Sequence, residues 1–203
     1  MFKKHRSLAI IIFSGLILAL ISLGVSIFLP RQFSAESQVL IMPRDQFGTD
    51  QFTQLKSAEQ VGESLTQIIH TTDFYKKVID DSETTFNKEK WTAMVERSRR
   101  KKWQKDIVAS MVYGTSIMRI VAYSDTQDDA MDMSRAVARI LSARAFEYAG
   151  SNITVKIVSD PLVSRWPARP NLILNVGVGF IVGAFFGIFW VLIKHKKHHL
   201  LFD

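Results

Sequence analysis

Two stretches of the chain carry no charged residue at all: "SLAIIIFSGLILALISLGVSIFL" (residues 7–29) and "NLILNVGVGFIVGAFFGIFWVLI" (residues 171–193), each 23 residues long. At the helical rise of 1.5 Å per residue such a stretch covers ~34 Å, against a hydrocarbon core of roughly 30 Å. Buried helices of soluble domains rarely stay uncharged for so long, so both are expected to be membrane-spanning helices. A cleaved signal peptide is the competing reading of the first. Its apolar stretch exceeds the ~7–15 residues of a signal's hydrophobic region, and "SIFLPRQFSAES" offers no convincing small-x-small cleavage site.

Between the two stretches the periodicity changes. "FSAESQVLIM" (33–42) alternates between Pro30 and Pro43, which predicts a strand. "PRDQFGTDQF" reads as a turn. Ser57, three residues before Gln60, forms a capping box opening a helix with Val61, Leu65, Ile68 and Ile69 on one face. "DFYKKVIDD" predicts a second short helix after Thr72, and Asn87 caps a third, "KEKWTAMVERSRRKKWQK" (88–105). "IVASMVYGTSIMRIVAY" (107–123) places two β-rich runs around Gly114-Thr115, a hairpin pattern. "SDTQDDAMDMSRAVARILSARAFEYAG" has acids early, arginines late and Gly150 just beyond, charges that complement a helix dipole. Ala130, Met133, Val137, Ile140, Leu141 and Ala145 give that helix a buried stripe. "ITVKIV" (153–158) alternates as a last strand.

The order β-α-α-α-β-β-α-β predicts an α+β domain with a small mixed sheet. Its first and last strands each join an apolar stretch directly, so they are expected to run antiparallel near the membrane surface. The predicted organisation is a cytoplasmic tail (1–6), a span (7–29), an extracytoplasmic domain (30–160), a proline-rich membrane-proximal segment (161–170), a second span (171–193) and a second tail (194–203).

Charge changes the picture by fixing orientation. Lys3, Lys4 and Arg6 precede the first span, and Lys194, Lys196 and Lys197 follow the second. The positive-inside bias therefore predicts that both termini are cytoplasmic. Residues 31–170 hold 20 Lys+Arg and 18 Asp+Glu, so only +2 of the net +7 lies in the middle and the rest lies in the two tails. The basic balance is thus a topology signal, not a nucleic-acid one. The chain has no cysteine, so an exported domain here would stand on its core without disulfides.

Four features invite a functional reading. Pro161, Pro167 and Pro170 fix φ and bias their neighbours toward extended backbone, which makes a semi-rigid spacer between domain and span. A helix stop plus a proline near a helix start explains them equally well. Gly179, Gly183 and Gly187 form GxxxGxxxG, a small-residue face that lets another helix backbone approach closely; joining copies of the chain is the role expected of it. "RSRRKKWQK" (97–105) includes Arg99, Arg100, Lys101 and Trp103, which could hold an anionic glycan or phosphate headgroups. Glu96 and Asp106 flank the run and favour the plainer reading, a solvated face with Trp91 and Trp103 in the core. "HKKHH" (195–199) lacks companion carboxylates for a metal, so positive-inside anchoring explains it better, and His70 reads as structural. No phosphate loop, nucleophile elbow or paired His with Cys or Ser is present, and loop acids such as Asp45, Asp50 and Asp160 have no pairing spacing. Neither an enzyme nor a cofactor is expected.

With these features placed, the chain resembles the bacterial polysaccharide co-polymerase family, the Wzz-type chain-length determinants and related capsule and exopolysaccharide proteins. The resemblance is carried by "LPRQFSAESQVLI" after the first span, by "SIMRIVAYSDTQDDAMDMSRAVARIL", and by "DPLVSRWPARPN" before a glycine-bearing span. Pro167 and Pro170 match the closing P-x-x-P, and Gly179 and Gly183 match the glycine spacing; Arg165 and Trp166 stand where the family often carries a proline or small residue. The resemblance implies a non-catalytic inner-membrane protein that forms homo-oligomeric rings. It also implies control of the chain length or export of a lipid-linked glycan, beside a polysaccharide polymerase or export machinery. Some members carry a fused tyrosine kinase and others activate one in trans. With ten residues after Ile193 and a 140-residue middle, the short adaptor type without a kinase domain is expected. An extracytoplasmic sensor domain is a more distant alternative.

Overall fold

The computed structural model describes the backbone of residues 2–43, 50–150 and 152–200, and the side chains of 8–43, 50–150 and 152–194. Most of the expected turn "PRDQFGTDQF", with Asp45, lies outside the described residues, as do the side chains of Lys3, Lys4, Arg6 and "HKKHH". The chain divides into two compact units, Met1–Arg31 with Ala168–Asp203, and Gln32–Pro167.

The first unit is a pair of long helices, α1 (Phe2–Phe28) and α2 (Leu172–Leu200), that pack against each other. Both are long and apolar enough to cross a membrane, over Leu8–Phe28 and Leu172–Lys194. Their contacts run in opposite senses, Gly187 beside Ile11, Gly183 beside Ser14 and Gly179 beside Ser22, so the helices are antiparallel.

The second unit is α+β. Its elements are β1 (Phe33–Pro43), α3 (Gln51–Ile69), α4 (Thr72–Asp80), α5 (Glu89–Thr92), α6 (Glu96–Asp106), β2 (Ile107–Met111), β3 (Ile117–Ser124), α7 (Gln127–Ala149) and β4 (Ile153–Val163). The four strands lie in the order β2-β3-β1-β4. All three pairings are antiparallel, so the sheet is not mixed as expected. β3 and β4 both run antiparallel to β1 and are therefore parallel to each other, so α7 carries the chain between them as a β-α-β crossover with β1 in the middle. Alternate residues of β1 are buried (Ala35, Ser37, Val39, Ile41), and α7 packs on that face with the expected stripe Ala130, Met133, Val137, Ile140, Leu141 and Ala145. Ser37 and Ser134, both fully buried, meet at 2.9 Å where α7 crosses β1, each satisfying the other. The hairpin β2-β3 turns at Gly114, whose φ of 71° suits glycine.

Three boundaries differ from the sequence expectation. α3 starts at Gln51 after Asp50, six residues before the Ser57 capping box, which therefore sits inside the helix. The helix expected over 88–105 is broken into α5 and α6 at Ala93–Val95, where Val95 is extended. In one unbroken helix Trp91 and Trp103 would stand ~18 Å apart along the axis. The break lets their rings meet edge-on at 5.6 Å in the core, beside Tyr75. Asn87 still acts as a cap, accepting from the Lys90 N–H at 3.3 Å. Finally, β4 runs on to Val163 and contains Pro161. β4 is an edge strand, and its register against β1 shifts between Ser159 and Leu162, so a residue without an N–H is tolerated there.

Candidate functional site

The glycine face of α2 is occupied by α1 of the same chain. A Cβ on Gly183 would lie 2.5 Å from the Ser14 carbonyl oxygen and 2.8 Å from Gly15 Cα; on Gly179 it would lie 3.0 Å from the Leu18 carbonyl oxygen; on Gly187, 2.8 Å from Ile11 Cα. Backbone fills the space that any side chain would need, which is why these three positions are glycine. The role expected for them was joining copies; within this chain the contact they make is with α1.

Close approach brings polar groups together in the same unit. Ser14 Oγ donates to the Gly183 carbonyl at 2.8 Å while also reaching its own Ile11 carbonyl at 2.9 Å. Ser22 Oγ donates to the Asn175 carbonyl at 2.8 Å, and Asn175 Nδ2 donates to Ser26 Oγ at 2.8 Å. Asn171 Oδ1 accepts from the Leu174 N–H at 3.1 Å and caps α2. In an apolar surrounding such bonds and small-residue packing hold helices together where burial of apolar surface cannot. The sequence reading missed Ser14, Ser22, Ser26 and Asn175. Their signal was the spacing of small residues along α1, Ser14, Ser22 and Ser26 at multiples of four, which matches the glycine stripe opposite.

In the other unit, the start of β1 and the end of β4 lie side by side, with Ala35 opposite Val163. Ser164 closes this end: its N–H donates to the Ser34 carbonyl at 2.7 Å, its Oγ accepts from the Ser34 N–H at 3.0 Å, and its carbonyl accepts from Gln127 Nε2 at 3.0 Å. The chain therefore enters and leaves the domain at one end of the sheet. Of the three prolines, Pro161 is in β4, Pro167 ends the domain unit, and Pro170 follows a cis peptide bond before α2.

The basic helix α6 does not gather Arg99, Arg100, Lys101 and Trp103 into one face. Trp103 is fully buried, and its Nε1 donates to the Ile69 carbonyl at 2.8 Å, so its ring cannot stack on a sugar. Arg99 donates to the Met94 and Thr92 carbonyls at 2.8 and 3.2 Å, satisfying the end of α5. Arg100 pairs with Glu96 at 3.1 Å. Arg100 and Lys101 are exposed, and of the three cations Lys101 makes no ion pair among the described residues. Glu96 also accepts from the buried Tyr75 hydroxyl at 2.6 Å. That bond, more than Arg100, holds the Glu96 carboxyl below its usual range, while burial and then Glu96 push the Tyr75 phenol up. The helix is thus a structural element whose charges pin α5 and α4 to the core.

A second electrostatic cluster joins α4 to α7. Lys77 contacts Glu147 at 2.5 Å, Asp73 at 2.9 Å and the Tyr148 hydroxyl at 2.9 Å, with its ammonium 4.7 Å from the Tyr148 ring centre. Tyr148 donates to Asp73 at 2.5 Å. His70 ends α3 with its Nδ1 buried and without a hydrogen-bond partner among the described residues, and burial lowers its affinity for a proton. Among the described residues no cluster of His, Cys, Asp or Glu is arranged to hold a metal ion.

No curated protein matches the chain. A family comparison does: residues 4–82 match the Wzz family model, described as chain length determinant protein. That stretch runs from α1 through β1 and α3 to just past α4. The match supports a chain-length-determinant role in polysaccharide synthesis, and together with the two apolar helices it suggests an inner-membrane protein. Built around that stretch, an α+β domain with a long apolar helix at either end makes the chain consistent with the polysaccharide co-polymerase family.

Proposed function

We propose that this chain is a non-catalytic, two-pass protein of a bacterial inner membrane that helps set the length of a surface polysaccharide, or export it. Its α+β domain stands outside the cytoplasm and both termini lie inside. The observation that supports this reading is the joint position of the strand ends. β1 begins and β4 ends side by side, as a domain held by a span at each end requires, and the first of those strands lies within the Wzz match. Control of length in this way needs no bond-making group on the chain itself. Copies associate through the sides of the domain, because α1 already covers the glycine face of α2. The ring so formed presents a repeated surface to the growing polymer, or to the polymerase that extends it.

The test is complementation of a strain that lacks the gene, with the polysaccharide resolved by length on a gel. Restoration of a defined modal length is expected. Replacing Pro167 and Pro170 by alanine should shift that mode while the protein is still made, because the spacer no longer holds its extended path. An unaltered length distribution in the strain lacking the gene would overturn the reading. A reporter fused after Val158 that is active only inside the cell would do the same.

A further inference from the structure

The four tryptophans occupy different environments. Trp91 and Trp103 are in the domain core, and Trp190 lies on α2. Trp166 belongs to none of these: it is 80% exposed, on a segment with no helix or long strand, between β4 and α2. An indole left in water at a loop is unusual for so large an apolar side chain. Beside it, Arg165 is also exposed and makes no ion pair with the described residues. Leu162, four residues earlier, is 77% exposed.

The backbone that carries this pair is held rather than loose. Ser164, immediately before it, makes three hydrogen bonds to Ser34 and Gln127. Pro167, immediately after it, fixes its own φ and restricts Trp166. A side-chain pair displayed from a fixed turn loses little freedom on binding, so it is prepared for a partner.

Chain length identifies the partner. Only residues 167–171 separate Trp166 from the first residue of α2, Leu172. Six fully extended steps reach at most about 21 Å. The indole is therefore tethered within reach of the layer where the apolar helix ends. An indole prefers that layer because one edge is apolar and its N–H needs a hydrogen-bond acceptor. A guanidinium beside it matches a phosphate oxygen pair with two parallel N–H bonds.

We propose that Arg165 and Trp166 form an anchor that binds the headgroups of anionic phospholipid next to α2. The indole sits at the level of the glycerol and phosphate, and the guanidinium is paired with a phosphate. This rests on reading α2 as a membrane span, but not on which side of the membrane the domain lies. Bound in this way, the pair holds the end of β4 at the level of the headgroups.

The full chain in lipid nanodiscs tests the proposal through tryptophan fluorescence. In a Trp190→Phe background, Trp166 is the one tryptophan outside the core, so quenching by headgroup-nitroxide lipid reports its depth. Strong quenching is expected, lost in Trp166→Phe, and greater in discs containing phosphatidylglycerol than in phosphatidylcholine alone. Arg165→Gln should abolish that difference between disc types while leaving quenching in phosphatidylcholine in place. Absence of headgroup quenching of Trp166 would overturn the proposal, as would a signal that depends on protein concentration and not on lipid, which would mean a second copy covers the indole. A parallel arm with Trp166→Phe and acyl-chain nitroxides reads Trp190. Quenching there with none at Trp166 removes the anchor alone, whereas no quenching at either site removes the span as well.

Discussion

The two units of this molecule bury opposite kinds of residue. In the domain the fully buried side chains include Trp103, Tyr75, Phe74, Leu65 and Ile41, and among the described residues the charges lie outside except for Asp106, which pairs with Lys102 at 2.6 Å. In the helix pair, Leu20, Phe185 and Phe28 are 66%, 67% and 92% exposed, while Ser26 and Ala19 are 3% and 7% exposed. Water would not tolerate the second arrangement; lipid does, because apolar side chains lose nothing by facing hydrocarbon. The lesson is that the same letters report different forces. A leucine stripe marks the inside of the domain, but in the helices the inside is marked by glycine and serine. Cohesion in one unit comes from area removed from water, and in the other from close backbone approach and a few hydrogen bonds.

The widest separation between the two should come from Trp103→Ala. Its ring is wholly buried between Trp91 and Tyr75, and its N–H satisfies the Ile69 carbonyl. Removing it leaves a large cavity and an unpaired buried carbonyl, a loss of about 3–5 kcal/mol. Denaturant unfolding of the domain should show that loss. Distances between spin labels at Leu8→Cys and Leu192→Cys, in a chain with no other cysteine, should not change. If the helix pair loosens together with the domain, the two units are not held by separate forces.

Gly183→Leu is the converse experiment. Its side chain would overlap Ser14 and Gly15 backbone, which cannot yield as a flexible side chain would. Overpacking of this kind costs about 1–3 kcal/mol. The helices must separate and the Ser14 hydroxyl loses the Gly183 carbonyl. The label distances should lengthen and broaden while domain unfolding stays at its wild-type midpoint. Unchanged distances would show that the glycine face is not what sets the helix contact.

How much of this could be read from the sequence follows the same division. The α7 stripe was legible because burial against a sheet imposes a helical period on apolar residues, and all six expected positions are buried. The break between α5 and α6 was not, since Ala93-Met94-Val95 contains neither glycine nor proline; the cause is the distant meeting of Trp91 and Trp103. Ser57 looked like a cap because the local pattern was complete, yet α3 already begins at Gln51, after the extended Asp50. Pro161 looked like the end of the fold, and only pairing with β1 shows that an edge strand accommodates it. In the helix pair the glycine spacing was legible but its partner was not, because GxxxG states that a backbone will come close without stating whose. For the basic run, composition suggested a binding face, while geometry assigns Trp103 to the core and Arg99 to a helix end.

The finest difference between the units is in pH, since only the domain rests on titratable contacts among its described residues. The Tyr148 hydroxyl and then Lys77 hold the Asp73 carboxyl below its usual range, and Lys77 and then Arg144 do so for Glu147. Both carboxyls bind a proton less readily folded than unfolded, so stability rises with pH through the carboxylate range. Their contribution is complete above the unfolded value of ~4 and is lost as pH falls through the lower folded values. Lys77 is shifted the other way, upward, by Glu147, Tyr148 and Asp73. Its contribution is complete below an unfolded value of ~10.4 and fades only in alkali, so it adds no slope on the acid side. Thermal midpoints of the domain between about pH 6 and about pH 3 should therefore fall more steeply for the wild type than for Lys77→Met, which removes the chief partner of Glu147 and the second partner of Asp73. The difference is small because these groups face solvent, where screening weakens ion pairs. Parallel acid profiles for the two proteins would mean that α4 is tied to α7 by the Phe74–Tyr148 ring contact at 6.3 Å rather than by the charges around it.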